Sequence, residues 1–310
     1  MPSSNVSIKR PGPLVNDLFG ADKRPKYLPH MHHKDVISMG MQSIDPRRWI
    51  EPDEDYPAYL KHKLALKHSS TKPIFAALDS AYEAQLELAA QLKAHLLKHQ
   101  SHIYCPSAEG LSYLPTGIEL GQKDAPPLWQ ASLWVADDLL IMQKIGANYC
   151  LSAASLCSPS SWHLAEKMGQ PMARIHDPVP TIHDKLTPKI DRFFDHLAVG
   201  KPVERFNWSL QADTQLAQFP KAKEIHTPNT PLYYRCERQT LTRLPATHAI
   251  AFTIRVYVYP MLSLAQVPNA LAQLQSAIQA MPNSVASYKD IIYFKPALQK
   301  YFSDLSSKVN

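Results

Sequence analysis

The 310-residue chain is poor in glycine and cysteine, with 9 and 4 respectively, and it has no long apolar run. A membrane-spanning helix needs roughly 18 or more consecutive apolar residues, so no membrane partner is expected. The amino terminus carries Pro2, Lys9, Arg10, Pro11 and Pro13 and lacks the apolar centre of a signal peptide, which points to a soluble, cytoplasmic protein. Cys105, Cys150, Cys157 and Cys236 form no CxxC pair and no iron–sulfur spacing, so they read as free thiols. GxGxxG, the P-loop, GxSxG and HExxH are all missing. Their absence disfavours nucleotide, flavin or iron–sulfur chemistry within this chain and requires any reducing equivalents to come from outside. The formal charge is +6, but Lys and Arg are interspersed with Asp and Glu, which disfavours nucleic acid as a partner.

What is present is enough apolar material, 45% of residues, to build a sizeable core. Residues 1–37 are rich in Pro, Ser, Lys and Arg and read as a flexible arm. From 38 to 310 there is no linker, repeat or low-complexity tract, which favours a single domain. Apolar residues at three- and four-residue intervals predict helices from Phe75 to His99 and from Trp129 to Lys144. Further helices are predicted from Ser160 to Gly169, Thr181 to Leu197, Leu264 to Met281 and Ser284 to Leu305. Alternation predicts strands at Val203–Leu210 and Ile250–Tyr259, Leu232–Leu241 supplies a third between them, and another is expected at Asn148–Cys157. Sequential strands with short connections favour an antiparallel meander covered by helices, an α+β fold.

Two groups of residues stand out chemically. Of the 14 histidines, His62, His68, His95, His99 and His102 fall on or beside polar helix faces, and His30, His32 and His33 sit at the edge of the arm, where adventitious metal binding is the bland reading. His176 differs, because the run Ile175-His176-Asp177-Pro178-Val179-Pro180 stiffens its backbone. It reads either as a hydrogen-bonded structural histidine or as a haem ligand whose second ring nitrogen is oriented by a neighbour. The second group is Arg238, Gln239 and Thr240 with Arg255 and Tyr257 on the adjacent strand, and Asn207 and Trp208 before them. These can line a pocket, hold propionates or stabilise developing negative charge. Alternatively Arg238 and Arg255 pair with Glu204 or Glu237 on a solvated face, and Trp208 is a core anchor.

Seven segments together are similar to one family: Trp49-Ile-Glu-Pro-Asp-Glu-Asp-Tyr56, Ala153-Ala-Ser-Leu-Cys157, Trp162-His-Leu-Ala-Glu-Lys167, Ile175-His-Asp-Pro-Val-Pro180, Asn207-Trp-Ser209, Glu237-Arg-Gln-Thr-Leu241 and Phe252-Thr-Ile-Arg255. Their order resembles the haem-dependent oxidative N-demethylase family, alpha-subunit-like, from about residue 38 to about 305. The resemblance implies a PAS-like domain with a helical C-terminal extension that binds haem b. It implies oxidation of a small amine, such as dimethylamine, by dioxygen with release of formaldehyde. Electrons would arrive from NADPH, FMN and iron–sulfur modules on partner proteins. By this carry-over His176 is the iron ligand, Arg238 faces dioxygen, and Thr240 and Asn207 assist it. Arg255, Gln239, Trp208 and Tyr257 are expected around the cofactor. The competing reading is a haem- or ligand-binding sensor without turnover, since a PAS-like pocket serves either purpose.

Overall fold

The computed structural model describes residues 23–32, 40–52, 54–122, 124–177 and 187–309. In chain order the strands are β1 (Gln42–Ser43), β2 (Phe75–Ala77), β3 (Tyr104–Ser107), β4 (Gly110–Tyr113), β5 (Ile118–Leu120), β6 (Asp138–Ile145), β7 (Asn148–Ser155), β8 (Val203–Gln211), β9 (Tyr233–Arg243) and β10 (Ile250–Pro260). The helices are α1 (Tyr56–Ser69), α2 (Tyr82–His99), α3 (Pro127–Ser132), α4 (Leu164–Lys167), α5 (Met172–Ile175), α6 (Thr187–His196), α7 (Ala270–Gln279), α8 (Asn283–Tyr288) and α9 (Lys295–Val309). Seven strands form one antiparallel sheet in the order β1-β8-β9-β10-β6-β7-β2, and β3, β4 and β5 form a small second sheet. The fold is α+β, as the strand alternation predicted.

The long strands sit where the alternation placed them. Register across β8, β9 and β10 pairs Phe206 with Arg238 and Arg238 with Arg255, while Asn207 pairs with Glu237 and Glu237 with Val256. Because side chains alternate, one face carries Glu204, Phe206, Trp208, Arg238, Thr240, Arg255 and Tyr257, and the other carries Arg205, Asn207, Arg235, Glu237 and Gln239. The first face packs on α1 and α2: the Tyr59 ring lies under Arg255, the Tyr59 hydroxyl donates to Val256 O at 2.7 Å, and Glu87 of α2 accepts from the amides of Ala246 and Thr247. Leu88, Leu92 and Leu96 of α2 are fully buried, each contributing about 2–3 kcal/mol by removal from water. The second face is covered by the chain between β7 and β8 and the segment after β8, since Arg235 donates to Ser158 O at 2.7 Å and Leu216 O at 2.9 Å.

Several expected helices change. Phe75–Ala77 pairs with β7 as a strand, and the helix proper begins at Tyr82. Between Trp129 and Lys144 only α3 is helical; a turn over 133–137 leads into β6, which is joined to β7 by a tight turn in which Gly146 supplies φ +63°. Leu139, Leu140, Ile141 and Met142 are buried in succession, so a strand covered on both faces gave a continuous apolar run that mimics helical periodicity. The Ser160–Gly169 helix shrinks to α4, and the two tail helices become α7, α8 and α9. Of the Thr181–Leu197 helix, α6 is present and residues 181–186 lie outside the described residues.

The segment expected to be a loose arm is partly built into the domain. Leu28 and His30 are buried, His30 contacts the Tyr234 hydroxyl at 2.9 Å and Ala270 O at 3.0 Å, and Tyr27 packs on Phe206 and Tyr257. The Ala270 carbonyl can only accept, so His30 Nε2 carries the proton. Burial pushes its pKa down to about 4, and the ring stays neutral. That environment replaces the adventitious-metal reading for His30 with a structural one. The four cysteines are free, as expected. No helix among the described residues is long and apolar enough to cross a membrane.

Candidate functional site

His176 follows the one-turn helix α5, whose start is set beside β7 by the bridge between Cys150 and Pro171. Its amide donates to Met172 O at 3.1 Å and its Nδ1 lies 3.0 Å from the same carbonyl. A carbonyl only accepts, so Nδ1 is protonated and Nε2 keeps its lone pair. The imidazole is therefore held in one tautomer, with Nε2 turned away from the anchoring bond. The ring is half-buried, and burial lowers its pKa, partly offset by the Met172 bond and reinforced by the charges of Arg205 and Lys167. A neutral imidazole is the form that binds a metal.

Arg205, whose charge acts on His176, belongs to the second face of the sheet. On that face Glu237 is buried and doubly held, accepting from Arg235 Nε at 3.2 Å and Gln239 Nε2 at 3.1 Å. Asn207 is half-buried, and its Oδ1 accepts from Lys289 Nζ at 2.7 Å. Lys289, at the end of α8, is itself buried and also donates to Trp208 O at 2.6 Å. Burial lowers its pKa to about 8 against the pull of Glu237. Arg205, half-buried, has its pKa lowered by burial, with Glu237 and Tyr288 acting in the opposite sense. Of this face, Arg205 lies within electrostatic reach of His176.

The other sequence-selected residues lie behind the sheet. Arg238 is 1% exposed; Nε donates to Glu204 at 2.8 Å, Nη1 to Trp49 O at 3.3 Å and Nη2 to Arg48 O at 2.6 Å. Its guanidinium is occupied on every side. Glu51, 3.6 Å away, completes the group with Lys26 at 2.7 Å and the Tyr27 hydroxyl. Burial raises the Glu51 pKa, but Arg238 and the Lys26 and Tyr27 hydrogen bonds outweigh it and hold it at about 2. Thr240 Oγ1 is 2.7 Å from Thr253 Oγ1 across the β9–β10 ladder. Arg255 stacks 3.7 Å over the Tyr59 ring, and its charge partly offsets the burial that raises the Asp137 pKa. Tyr257 donates to Glu51 at 3.2 Å, and Trp208 stacks on Tyr234 at 5.7 Å in the core formed with the C-terminal helices.

The structure therefore puts Asn207 and Gln239 on one face of the sheet and Arg238, Thr240, Arg255, Tyr257 and Trp208 on the other, with His176 tied to the first face only by the charge of Arg205. Pairing of Arg238 with Glu204 is the cross-strand ion pair considered from the sequence, but in a buried layer and not on a solvated face. Arg205, Glu237 and Lys289 join the first set. Arg205 and Glu237 were legible from period two once Asn207 and Gln239 were chosen; Lys289 is more than 80 positions from Asn207 and carried no signal.

Among the described residues no three His, Cys, Asp or Glu side chains gather to hold a metal ion. Haem iron takes a single axial side chain from the protein, and an imidazole with Nδ1 anchored fits that part of the demand. The model of the family described as haem-dependent oxidative N-demethylase, alpha subunit-like, matches residues 40–299. The match contains His176, the whole polar sheet face and Lys289, and stops short only of the amino-terminal segment and the end of α9. The chain belongs to the haem-dependent oxidative N-demethylase, alpha-subunit-like family.

Proposed function

We propose that this chain carries haem b and acts as the oxygenase subunit in oxidative N-demethylation of a small amine of the dimethylamine type, releasing formaldehyde. The observation that carries the reading is the Nδ1 bond of His176 to Met172 O, which leaves Nε2 as the metal-binding atom. Haem, when bound, supplies the oxidation of the amine's methyl group by dioxygen with electrons from outside. Those electrons come from NADPH, flavin and iron–sulfur partners, in keeping with the lack of such motifs here.

In this reading the β8–β9 face carrying Arg205, Asn207, Glu237 and Gln239 is the wall opposite His176. Arg205 supplies a fixed positive charge, and Asn207 and Gln239 supply neutral hydrogen-bonding groups that orient bound species. Arg238, Thr240, Arg255, Tyr257 and Trp208 act from behind, locking the β8–β9–β10 register that aims this wall. Arg238 is then a brace for the sheet and does not face dioxygen.

The test is formaldehyde release from haem-loaded protein supplied with dioxygen, an NADPH-driven reductase and ferredoxin, and a panel of small methylated amines. Formaldehyde appearing in step with amine loss is expected. Haem-loaded protein that is reduced and reoxidised in air, yet yields none from any amine, refutes the activity and leaves a ligand-binding role.

A further inference from the structure

The last two turns of α2 carry the run His95-Leu-Leu-Lys-His99, two histidines four residues apart. On a helix that spacing brings both imidazoles to one face, the arrangement by which helical zinc sites take two of their ligands. Here the two ring centres stand 5.0 Å apart, with their planes inclined by 52°. A zinc ion held by two imidazole nitrogens at about 2.0–2.1 Å lies about 3.2 Å from each ring centre, and at a tetrahedral angle those centres are about 5 Å apart. The pair already has the separation of a chelate.

His95 is not on the solvated face that the helical pattern suggests. It is 9% exposed, the Trp49 ring meets it edge-on at 5.2 Å, and its buried Nε2 has no hydrogen-bond partner. A buried polar atom of that kind is uncommon and calls for an ion or another group to satisfy it. Burial, with the charge of His99 acting in the same sense, lowers the His95 pKa to about 4, so the ring is neutral at pH 7, the form that ligates a metal. His99 is half-buried, which leaves the pair at the border of solvent. Leu96 stands where the helical zinc hydrolases have a glutamate, so the general base of those enzymes is missing and the pair is suited to binding alone.

We propose that His95 and His99 form a two-point site for a divalent first-row transition ion such as zinc, with water completing the coordination, and that the bound ion staples the last two turns of α2. The proposal does not rest on the haem reading. Its rival comes from Trp49, whose Nε1 is also buried without a partner: the indole N–H can close onto His95 Nε2 and satisfy both atoms.

The experiment is denaturant unfolding of the full chain against zinc concentration, for wild type, His99→Gln, His95→Gln, Trp49→Phe and the arm variant His32→Gln/His33→Gln. An ion that binds the folded helix raises the folded-to-unfolded ratio about a hundredfold when zinc stands about a hundredfold above its dissociation constant. Wild type, Trp49→Phe and the arm variant should show that rise, and His99→Gln and His95→Gln should lose it. His99→Gln changes a half-buried side chain at the helix end, so it should match wild type in a zinc-free chelator buffer. A wild-type midpoint unmoved by zinc up to about 1 mM overturns the proposal. So does an undiminished rise in His99→Gln, or its loss in the arm variant, which would put the ion elsewhere. A rise seen only in Trp49→Phe shows the indole closed onto Nε2 and overturns it as well.

Discussion

Replacing Arg238 by Met separates a bracing role from a role in the reaction. The side chain is fully buried and donates to Glu204 and to two backbone carbonyls. Met fills similar volume but leaves Glu204, 3% exposed, with only the Gln42 amide at 3.1 Å and Arg48 at 3.6 Å. Removing one partner of a buried ion pair costs about 3–5 kcal/mol, because the remaining charge is desolvated and uncompensated. Replacing both, as Arg238→Met with Glu204→Leu, should cost less than Arg238→Met alone, since no orphan charge remains. Glu51 also loses its strongest counter-charge, so its pKa rises and the acid edge of stability moves to higher pH. Denaturant unfolding followed by the fluorescence of the 5 tryptophans reads all three effects. An unchanged midpoint with abolished turnover would refute the reasoning and return Arg238 to the reaction.

Other perturbations test neighbouring parts of the account. Lys63→Met removes an ammonium that donates to Ser132 O, Val135 O and Asp137 O, and should lower stability by about 3 kcal/mol or more in the same unfolding assay. His30 is held neutral with a pKa near 4, while the unfolded chain protonates it near the ordinary 6.5. Its contribution is therefore fully present above pH 6.5 and is lost as pH falls from there toward 4. His30→Phe should remove up to about 3 kcal/mol of that pH dependence, read from urea midpoints across the window. Asp138→Ala strands the amides of Cys157 and Ser158, which donate to it at 2.8 and 2.7 Å, and should destabilise the exit of β7 by about 2–4 kcal/mol.

Much of the sheet was legible because β8 and β10 alternate between polar and apolar residues, with β9 between them. The same alternation also forbids Arg238 and Gln239, or Asn207 and Trp208, from sharing a face, so the division of the site was available from period two alone. β6 was hidden because burial on both faces erased its alternation. Lys289 and the burial of Leu28 and His30 depend on tertiary contacts between distant segments, for which local periodicity has no signature. His176 stands out by a different signal, the stiff proline-bounded segment and its family resemblance, and the structure adds the carbonyl that selects its tautomer.

The most direct measurement is the absorption spectrum of haem-reconstituted protein, oxidised, reduced and with carbon monoxide, for wild type and His176→Gly with and without added imidazole. Wild type should give a Soret band that shifts with carbon monoxide; His176→Gly should lose the native ligation, and imidazole should restore it by occupying the position of Nε2. A wild-type protein without a Soret band, or a His176→Gly spectrum identical to wild type, would contradict the assignment of His176 as the iron ligand.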